Sequence, residues 1–268
     1  MQQAHPELSD AAELQIRLFE LQHRLQARLP HPTLDFADST RRQALVTGCP
    51  VLSVDDLGID WPELRLMAQR VAGVLQQFDA LDAADAAATL DLSRDGDAFE
   101  RVVREWYDRT GARPSDGSRH PSDAAGAAES LSQVLLLSMR PFLGRCAETA
   151  AAMLDTSTWS KGYCPLCGGE PEMAVITRAA TRRLVCGRCL CQWDFDALAC
   201  PHCRNADRTR ITTFASRDRL YRIAACDECQ RYLKAYDARH SERPFLPGLD
   251  SVATLPLDAA AIQRGYLS

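Results

Sequence analysis

The sequence predicts a fold of the α plus small β class, in which an all-helical N-terminal domain precedes two tandem metal-binding modules. Three observations lead to this prediction. Apolar residues recur at helical spacing in the first part of the chain, and four C-x-x-C pairs fall between Cys164 and Cys229. Within the first two pairs and within the last two, the intervening segment alternates apolar and polar residues as the strands of a β-hairpin do. The modules are expected to be of the rubredoxin-like or zinc-ribbon type.

The helical prediction depends on apolar stripes with spacings of three and four residues. The stripes contain Leu14, Leu18, Leu21 and Leu25, then Leu64, Met67, Val71, Leu75 and Phe78, then Phe99, Val102 and Trp106. Ser9 is the expected cap of the first helix, and Pro62 suits a first helical turn. A long helix is expected from Leu131 toward Leu154, kinked or split at Pro141. An exposed loop is expected over 111–122.

Eight cysteines have the spacing of four-thiolate metal sites. Eighteen residues separate the first two pairs, and 22 separate the last two, which is close to the usual ribbon spacing. Two tetrahedral sites would use all eight sulfurs and leave none over. The candidate metal ligands are Cys164, Cys167, Cys186, Cys189, Cys200, Cys203, Cys226 and Cys229.

In the simplest arrangement, the first two C-x-x-C pairs hold one metal ion and the last two pairs hold the other. Strands are expected over 209–214 and 220–225, with a turn at 217–218, and a weaker hairpin is expected over 173–185. The chain would then divide into a helical domain at 1–156, a first ribbon at 157–198, a second ribbon at 199–240 and a C-terminal tail at 241–268 that packs back on the fold. The tail is expected to be irregular over 244–248 and to end in a short helix over 257–266.

Four thiolates in a tetrahedron suit either zinc or iron, and the spacing does not separate the two metals. Purely structural metal sites remain an open alternative, because small ribbons need metal to fold. Disulfides and single-pair thiol exchange are less favoured, since the N-terminus lacks a signal-peptide pattern and four pairs are present. The chain is therefore expected in the cytoplasm.

The remaining candidate residues give weaker signals. Cys191 follows the second pair closely and could be a ligand, a free thiol or a packed residue. Cys49 and Cys146 are expected to be small buried apolar residues. His202 is expected to lie beside the metal site rather than in it. Asp194 and Asp196 are expected on a solvated strand.

The charge of the chain and the motifs it lacks reduce the number of possible functions. The net charge is −5, and the excess of five positive charges over residues 160–235 falls to about +1 once two divalent tetrathiolate sites are counted. This disfavours a zinc-ribbon nucleic-acid-binding module, which remains the alternative function. No apolar stretch is long enough to insert into a membrane, and no phosphate loop, dinucleotide fingerprint or zinc-protease motif indicates an enzyme. A thiol oxidoreductase that uses Cys191 is a third, weaker hypothesis.

The sequence resembles the family of formate dehydrogenase accessory (formation) proteins, FdhE. The resemblance covers the organisation of the whole chain and is specific from Trp159 onward. It is carried by Trp159 to Cys164-Pro-Leu-Cys167-Gly, Leu184-Val-Cys186-Gly-Arg-Cys189 with Gln192-Trp193, Cys200-Pro-His-Cys203, Cys226-Asp-Glu-Cys229-Gln-Arg-Tyr232-Leu-Lys, and Asp250, Leu255, Leu257-Asp258 and Gly265-Tyr266 in the tail. Cys191 and residues 195–199 depart from the pattern.

This resemblance implies a non-enzymatic assembly factor that acts in the cytoplasm. Its partner would be the catalytic subunit of a respiratory, molybdenum-containing formate dehydrogenase, before twin-arginine export. The resemblance also implies that the eight paired cysteines hold two iron ions in rubredoxin-like sites, with zinc as the alternative. The sequence allows a homodimer and does not require one.

Overall fold

The helices and strands of the chain follow the two apolar periodicities of its sequence. The computed structural model describes residues 8–35, 39–111, 127–151 and 153–267. The loop expected over 111–122 lies outside them, apart from Gly111. The described residues group into two units with separate internal packing: 8–35, 52–111, 127–151 and Met153 form the helical unit, and 39–51 with 154–267 form the sheet unit.

Most of the helices lie in the helical unit. Among the described residues, the helices are α1 (Ser9–Gln26), α2 (Ser39–Thr47), α3 (Trp61–Gln77), α4 (Ala83–Arg94), α5 (Gly96–Thr110), α6 (Ala127–Ala151), α7 (Pro247–Ala253) and α8 (Leu255–Ile262). Helix α2 belongs to the sheet unit, and α7 and α8 form its C-terminal part. The domain limits drawn from the sequence remain predictions.

Aspartate side chains cap three helices of the helical unit. Asp60, Asp82 and Asp95 each accept a hydrogen bond from a backbone N–H in the first turn of α3, α4 and α5. The prediction for Ser9 is wrong by one position, because Ser9 is the first helical residue and Leu8 precedes it without a side-chain cap. Of the kink or split predicted at Pro141, the split does not occur, since α6 continues through this residue, and the kink stays a prediction.

Most residues of the predicted apolar stripes lie in the core of the helical unit, although in α5 Val102 is only half-buried and Val103 lies in the core instead. Leu64, Val71, Phe99 and Phe142 are at most 1% exposed. Hydrogen bonds between side chains then fix the helices relative to each other, because a buried polar group needs a partner. One of them joins Trp106 Nε1 of α5 to Ser132 Oγ of α6 at 2.9 Å, and Gln69 of α3 bonds Ser93 at the end of α4.

The sheet unit contains one sheet of six strands among its described residues. The strands are β1 (Pro171–Ile176), β2 (Arg182–Cys186), β3 (Gln192–Asp194), β4 (Ile211–Ala215), β5 (Tyr221–Cys226) and β6 (Arg231–Asp237). Their order in the sheet is β3-β2-β1-β6-β5-β4. Both predicted hairpins are present, as β1–β2 and β4–β5. Parallel pairing of β1 with β6 joins these two hairpins into one sheet, and no sequence pattern predicted this pairing.

The C-terminal segment covers one face of this sheet. Tyr221, Ile223, Tyr232 and Tyr236 point to this face and pack against apolar residues of the C-terminal segment, among them Leu257. The buried carboxylate of Asp250 accepts hydrogen bonds from Tyr221 Oη and Arg243. The irregular stretch predicted at 244–248 is present over 244–246, and α7 then begins at Pro247, because proline suits the first turn of a helix.

The segment 39–51 packs against the beginning of the cysteine-rich region. Val51 N donates to the carbonyl oxygen of Pro165 at 3.0 Å, and Tyr163 Oη donates to the carbonyl oxygen of Gly48 at 2.7 Å. A stretch that precedes most of the helical unit in sequence therefore supports the first C-x-x-C turn. In the described part of the chain, no helix combines the length and the apolar character needed to cross a bilayer.

We expect Leu64→Ala to destabilise the helical unit by about 2–5 kcal/mol, because it leaves a cavity at a position that is 0% exposed. Leu66→Ala on the same helix is the control, since Leu66 is 38% exposed. Urea unfolding followed by far-ultraviolet circular dichroism measures the difference. Equal losses of stability in the two variants would contradict this placement of the core.

Candidate metal centres

All four C-x-x-C pairs adopt the same tight turn. In each, the residue after the second cysteine donates its N–H to the carbonyl oxygen of the first cysteine, at 2.9–3.1 Å. This residue has a positive φ in every case. The four residues are Gly168 (φ 70°), Leu190 (φ 61°), Arg204 (φ 64°) and Gln230 (φ 56°).

Only the first turn carries the glycine that such a backbone favours. The backbone of Leu190, Arg204 and Gln230 adopts the left-handed conformation although each residue has a side chain, at a cost of roughly 1–2 kcal/mol each. Backbone strain of this kind persists only where the surrounding structure imposes it. The repeated geometry therefore indicates that all four turns are held in place by what their sulfur atoms share.

The first cluster lies in the interior of the sheet unit. Cys164, Cys167, Cys186 and Cys189 are each at most 2% exposed, and their Sγ atoms all lie within 4.8 Å of one another. The Sγ atoms of Cys164 and Cys189 are 3.5 Å apart, as are those of Cys167 and Cys186. Cys164 and Cys167 precede β1, Cys186 ends β2, and Cys189 completes the turn after it.

The second cluster is built in the same way and is more exposed. Cys200 and Cys203 precede β4, Cys226 ends β5, and Cys229 lies in the turn before β6. The Sγ–Sγ distances are 3.7 Å between Cys200 and Cys229 and 3.6 Å between Cys203 and Cys226. Cys203 is exposed and Cys229 is half-buried. Solvent therefore reaches this cluster, and not the first one.

These distances fit a metal ion and do not fit disulfides. A disulfide holds its two sulfurs about 2.05 Å apart. Four sulfurs at about 2.3 Å from a central ion in a tetrahedron are about 3.8 Å from one another. The measured separations of 3.5–3.7 Å lie near the second value. Each group of four cysteines can hold one metal ion, and the structure brings the eight candidates together in the predicted order. Their role as ligands stays a prediction.

Burial makes a cation necessary if all four cysteines of the first cluster are to ionise. Burial raises the pKa of the Cys164 and Cys189 thiols well above their usual value, whereas the hydrogen bond with Cys164 lowers the pKa of Cys167. Without a cation, protons would be shared among the sulfurs. A bound ion replaces these protons, because only the thiolate is a metal ligand.

Arg188 lies against the first cluster and is 4% exposed. Its backbone N–H donates to Cys186 Sγ at 3.3 Å, and its guanidinium donates to the carbonyl oxygen of Cys167 at 3.2 Å. Its charge also lowers the pKa of Cys167. A divalent ion with four thiolates carries a charge of about −2, which the buried guanidinium partly offsets. In the sequence, Arg188 differs in no way from the other positive charges over residues 160–235.

Two glycines allow the backbone around the first turn to lie close to other C-x-x-C turns. A Cβ on Gly169 would lie 2.8 Å from Cys186 Sγ. A Cβ on Gly162 would lie 1.8 Å from the carbonyl oxygen of Pro201, in the third turn. Neither position has room for a side chain, so the backbone ahead of the first turn is in direct contact with the turn that carries Cys200.

The other candidate residues lie outside the two sulfur groups. His202 lines a small cavity beside the second cluster, and burial lowers its pKa to about 4, so it is neutral at pH 7. Cys191 is half-buried, and hydrogen bonds with Cys164 and Cys189 lower its pKa to about 5. Asp194 is at the end of β3 and forms an ion pair with Arg183.

The two cysteines outside the C-x-x-C region differ from each other. Cys146 is 0% exposed in the helical unit, as predicted. Cys49 is only half-buried, so the prediction of a fully buried residue is wrong for this position. Asp196 follows β3 instead of lying within it, and its carboxylate accepts a hydrogen bond from Leu198 N at 2.9 Å.

We expect Gly169→Ala to lower the metal content from about two ions per chain to about one, because the new methyl group displaces the Cys186 sulfur from its tetrahedral position. Gly187→Ala is the control in the neighbouring turn, where a Cβ would come no closer than 3.3 Å to any atom, the nearest being Glu172 Cβ. Elemental analysis of both variants measures the difference. An unchanged metal content in Gly169→Ala would contradict this assignment of the first cluster.

We expect Arg188→Met to weaken metal binding at the first cluster by about 10–100-fold, since it removes a buried cation that stabilises the thiolates. Competition with a chelator measures the change. Arg183→Met is matched to it, because Arg183 lies on the same ribbon and its side chain is 50% exposed. Equal metal affinities in the two variants would show that the guanidinium has no electrostatic role.

Comparison with known proteins identifies relatives along most of the chain. No protein-family model matches. A protein named FdhE homolog from Stutzerimonas stutzeri is 28% identical over 247 residues, which is 76% of this chain and 79% of that protein. The FdhE homolog of Aquifex aeolicus is 28% identical over 148 residues, and the match spans 53% of this chain and about half (51%) of the length of that relative.

A solved structure has the same fold. The crystal structure of the FdhE protein from Pseudomonas aeruginosa aligns with a TM-score of 0.57 and 22% sequence identity, and the alignment covers 100% of this chain and 95% of that one. This agreement confirms the predicted fold class, with a helical N-terminal part followed by a small sheet that carries two four-cysteine clusters. The sequence matches and the shared fold confirm the predicted resemblance: this chain is similar to the FdhE proteins along most of its length.

Proposed function

We propose that the chain is a non-enzymatic maturation factor for a respiratory, molybdenum-containing formate dehydrogenase. It would bind the catalytic subunit of that enzyme in the cytoplasm, before export, and carry iron in its two four-cysteine clusters. The observation that carries this proposal is the similarity to FdhE proteins along most of the chain, together with clusters whose sulfur spacing fits a bound ion.

The chemistry of the clusters supports a binding protein rather than a hydrolytic enzyme. Catalytic metal sites keep a coordination position open for water or substrate, whereas four thiolates close the tetrahedron. His202 and Cys191 lie beside the clusters and are not members of the sulfur groups. A reducing compartment such as the cytoplasm also suits eight cysteines that must remain thiolates to bind metal.

The difference in burial between the clusters suggests a division of labour. The first cluster is enclosed and holds β1, β2 and the segments around them, which is a structural role. The second cluster presents Cys203 at the surface, so a bound client could approach it. When bound in such a site, iron supplies one-electron exchange with little change in geometry. The proposal needs one client surface per chain and holds for a monomer or a homodimer.

Anaerobic purification tests the choice of metal. We expect about two iron ions per chain and the visible absorption of a ferric tetrathiolate after oxidation. Each of the double variants Cys164→Ser/Cys167→Ser and Cys200→Ser/Cys203→Ser should retain about half of the iron. A colourless protein that contains stoichiometric zinc would contradict the iron assignment and leave the client proposal standing.

Affinity capture tests the proposed client. We expect the tagged chain, expressed in a cell that makes a respiratory formate dehydrogenase, to retain the catalytic subunit of that enzyme. Deleting the chain should abolish formate dehydrogenase activity without lowering the level of catalytic-subunit transcript. Full activity in the deletion strain would overturn the proposal. Salt-sensitive binding of nucleic acid, without capture of the subunit, would favour the zinc-ribbon alternative.

A further inference from the structure

The face of the sheet that α7 and α8 do not cover contains a groove with a small-residue floor. Thr213, Ala224 and Leu233 lie side by side on β4, β5 and β6, as the strand register shows. Ala235 on β6 and Ile176 at the end of β1 continue this floor. The short side chains leave a cavity of about 260 Å³ above the strands. The groove lies entirely within the sheet unit.

Three arginines form the walls of this groove. Arg182 begins β2, Arg222 lies on β5, and Arg239 follows β6. Arg222 and Arg239 share one carboxylate, Asp237, through hydrogen bonds of 2.8 Å, and this carboxylate is 0% exposed. Its negative charge therefore neutralises only one of the two guanidinium groups.

The third arginine is held by backbone groups. Arg182 Nη1 donates to the carbonyl oxygen of Ala199 at 2.9 Å, and its guanidinium lies 5.8 Å from the centre of the Phe195 ring. These contacts orient the guanidinium, and the carboxylate of Asp196 lies close enough to offset part of its charge. Three cations and two carboxylates, Asp237 and Asp196, leave the groove with an excess of about one positive charge, although the chain as a whole carries −5.

The groove opens at one end into a wider cavity, so its shape suits an extended ligand. Arg239 also lines a wider and more open cavity of about 600 Å³, together with Arg178, His240 and the acidic Glu242. At the other end, Arg182 also lines a space of about 30 Å³ that reaches Cys200 of the second cluster. A chain lying across β5 and β6 would therefore run from Arg178 toward the exposed metal cluster.

We propose that this groove binds an extended, acidic peptide segment of a partner protein. Guanidinium groups pair with carboxylates in a planar, two-point geometry, and the aliphatic floor takes small apolar side chains between them. A nucleic acid fits less well, because the groove floor offers no aromatic ring for base stacking. Only the identification of the partner as the formate dehydrogenase client rests on the proposed function.

Thr213 is the best position at which to test the groove. Its side chain is exposed on the floor, on the edge strand β4, and Thr213→Glu places a carboxylate opposite the arginines without breaking the Asp237 pairs. Thr212→Glu is the matched control. It makes the same change in net charge one residue earlier, on an exposed side chain that points to the other face of the sheet.

The probe is a fluorescein-labelled decapeptide that alternates alanine and glutamate, and fluorescence anisotropy measures its binding to the full-length, metal-loaded chain. We expect the affinity of Thr213→Glu to be about tenfold or more below that of the wild type, and that of Thr212→Glu to be within about twofold of it. A peptide with glutamine in place of glutamate should bind about tenfold more weakly, and the affinity for the glutamate peptide should fall as salt rises from about 50 to 200 mM.

Three outcomes would overturn the proposal. One is equal binding of the glutamate and glutamine peptides, and another is an equal loss of affinity in the two threonine variants. The third is displacement of the peptide by inorganic phosphate at concentrations equal to that of the peptide, which would indicate a site for small anions. Circular dichroism and metal content check that Thr213→Glu is folded, and Arg239→Gln provides a second variant that should also weaken binding.

Affinity capture with the same variants separates this proposal from the proposed function. If the wild-type chain and Thr213→Glu retain the formate dehydrogenase subunit equally well, the groove is not the client surface and the maturation role stands. If the wild-type chain retains no such subunit but binds the acidic peptide through the groove, the maturation role fails and the binding site stands.

Discussion

Close convergence of eight sulfur atoms is the constraint on which the sheet unit depends. Each group of four sulfurs occupies a volume in which neighbouring atoms are 3.5–3.7 Å apart, too far for a disulfide and too close for uncompensated thiolates. A cation at the centre of each group would resolve this conflict. It would also explain why three bulky residues, at positions 190, 204 and 230, tolerate a left-handed backbone.

The two clusters also link the architecture to the proposed role. Parallel pairing of β1 with β6 joins the hairpin of the first cluster to that of the second, so that both belong to one sheet. The close approach of Gly162 to the turn at Pro201 adds a second connection. One cluster is enclosed and the other presents Cys203 to solvent. The sheet can therefore combine a structural ion with one that a client could approach.

The two faces of the sheet differ in chemistry. On one face, tyrosines and aliphatic residues are covered by the C-terminal segment, and Asp250 and Asp258 accept hydrogen bonds from Tyr221 and Tyr232. On the other, small residues and three arginines form a groove with excess positive charge. This difference follows from the alternation of side chains along β5, where Ile223 points to one face and Ala224 to the other. It gives the protein a cationic surface despite its net negative charge.

The sequence by itself determined the local features of this protein. The apolar stripes predicted the helices, the C-x-x-C spacing predicted two groups of four sulfurs, and the alternation over 220–225 predicted β5. These features depend on residues close together in the chain or on a repeated motif, so they can be predicted without knowing the fold.

Only the tertiary structure decided the rest. The parallel partner of β1 is β6, about 60 residues away in the sequence, and no local pattern selects it. The roles of Arg188 and Arg182 depend on burial and on which carbonyl groups lie beside them, which the arginine-rich sequence cannot distinguish. The unequal exposure of the two clusters is likewise set by the segments that pack around each turn. Such properties arise from contacts between distant residues, because burial and charge compensation depend on all the groups that surround a site.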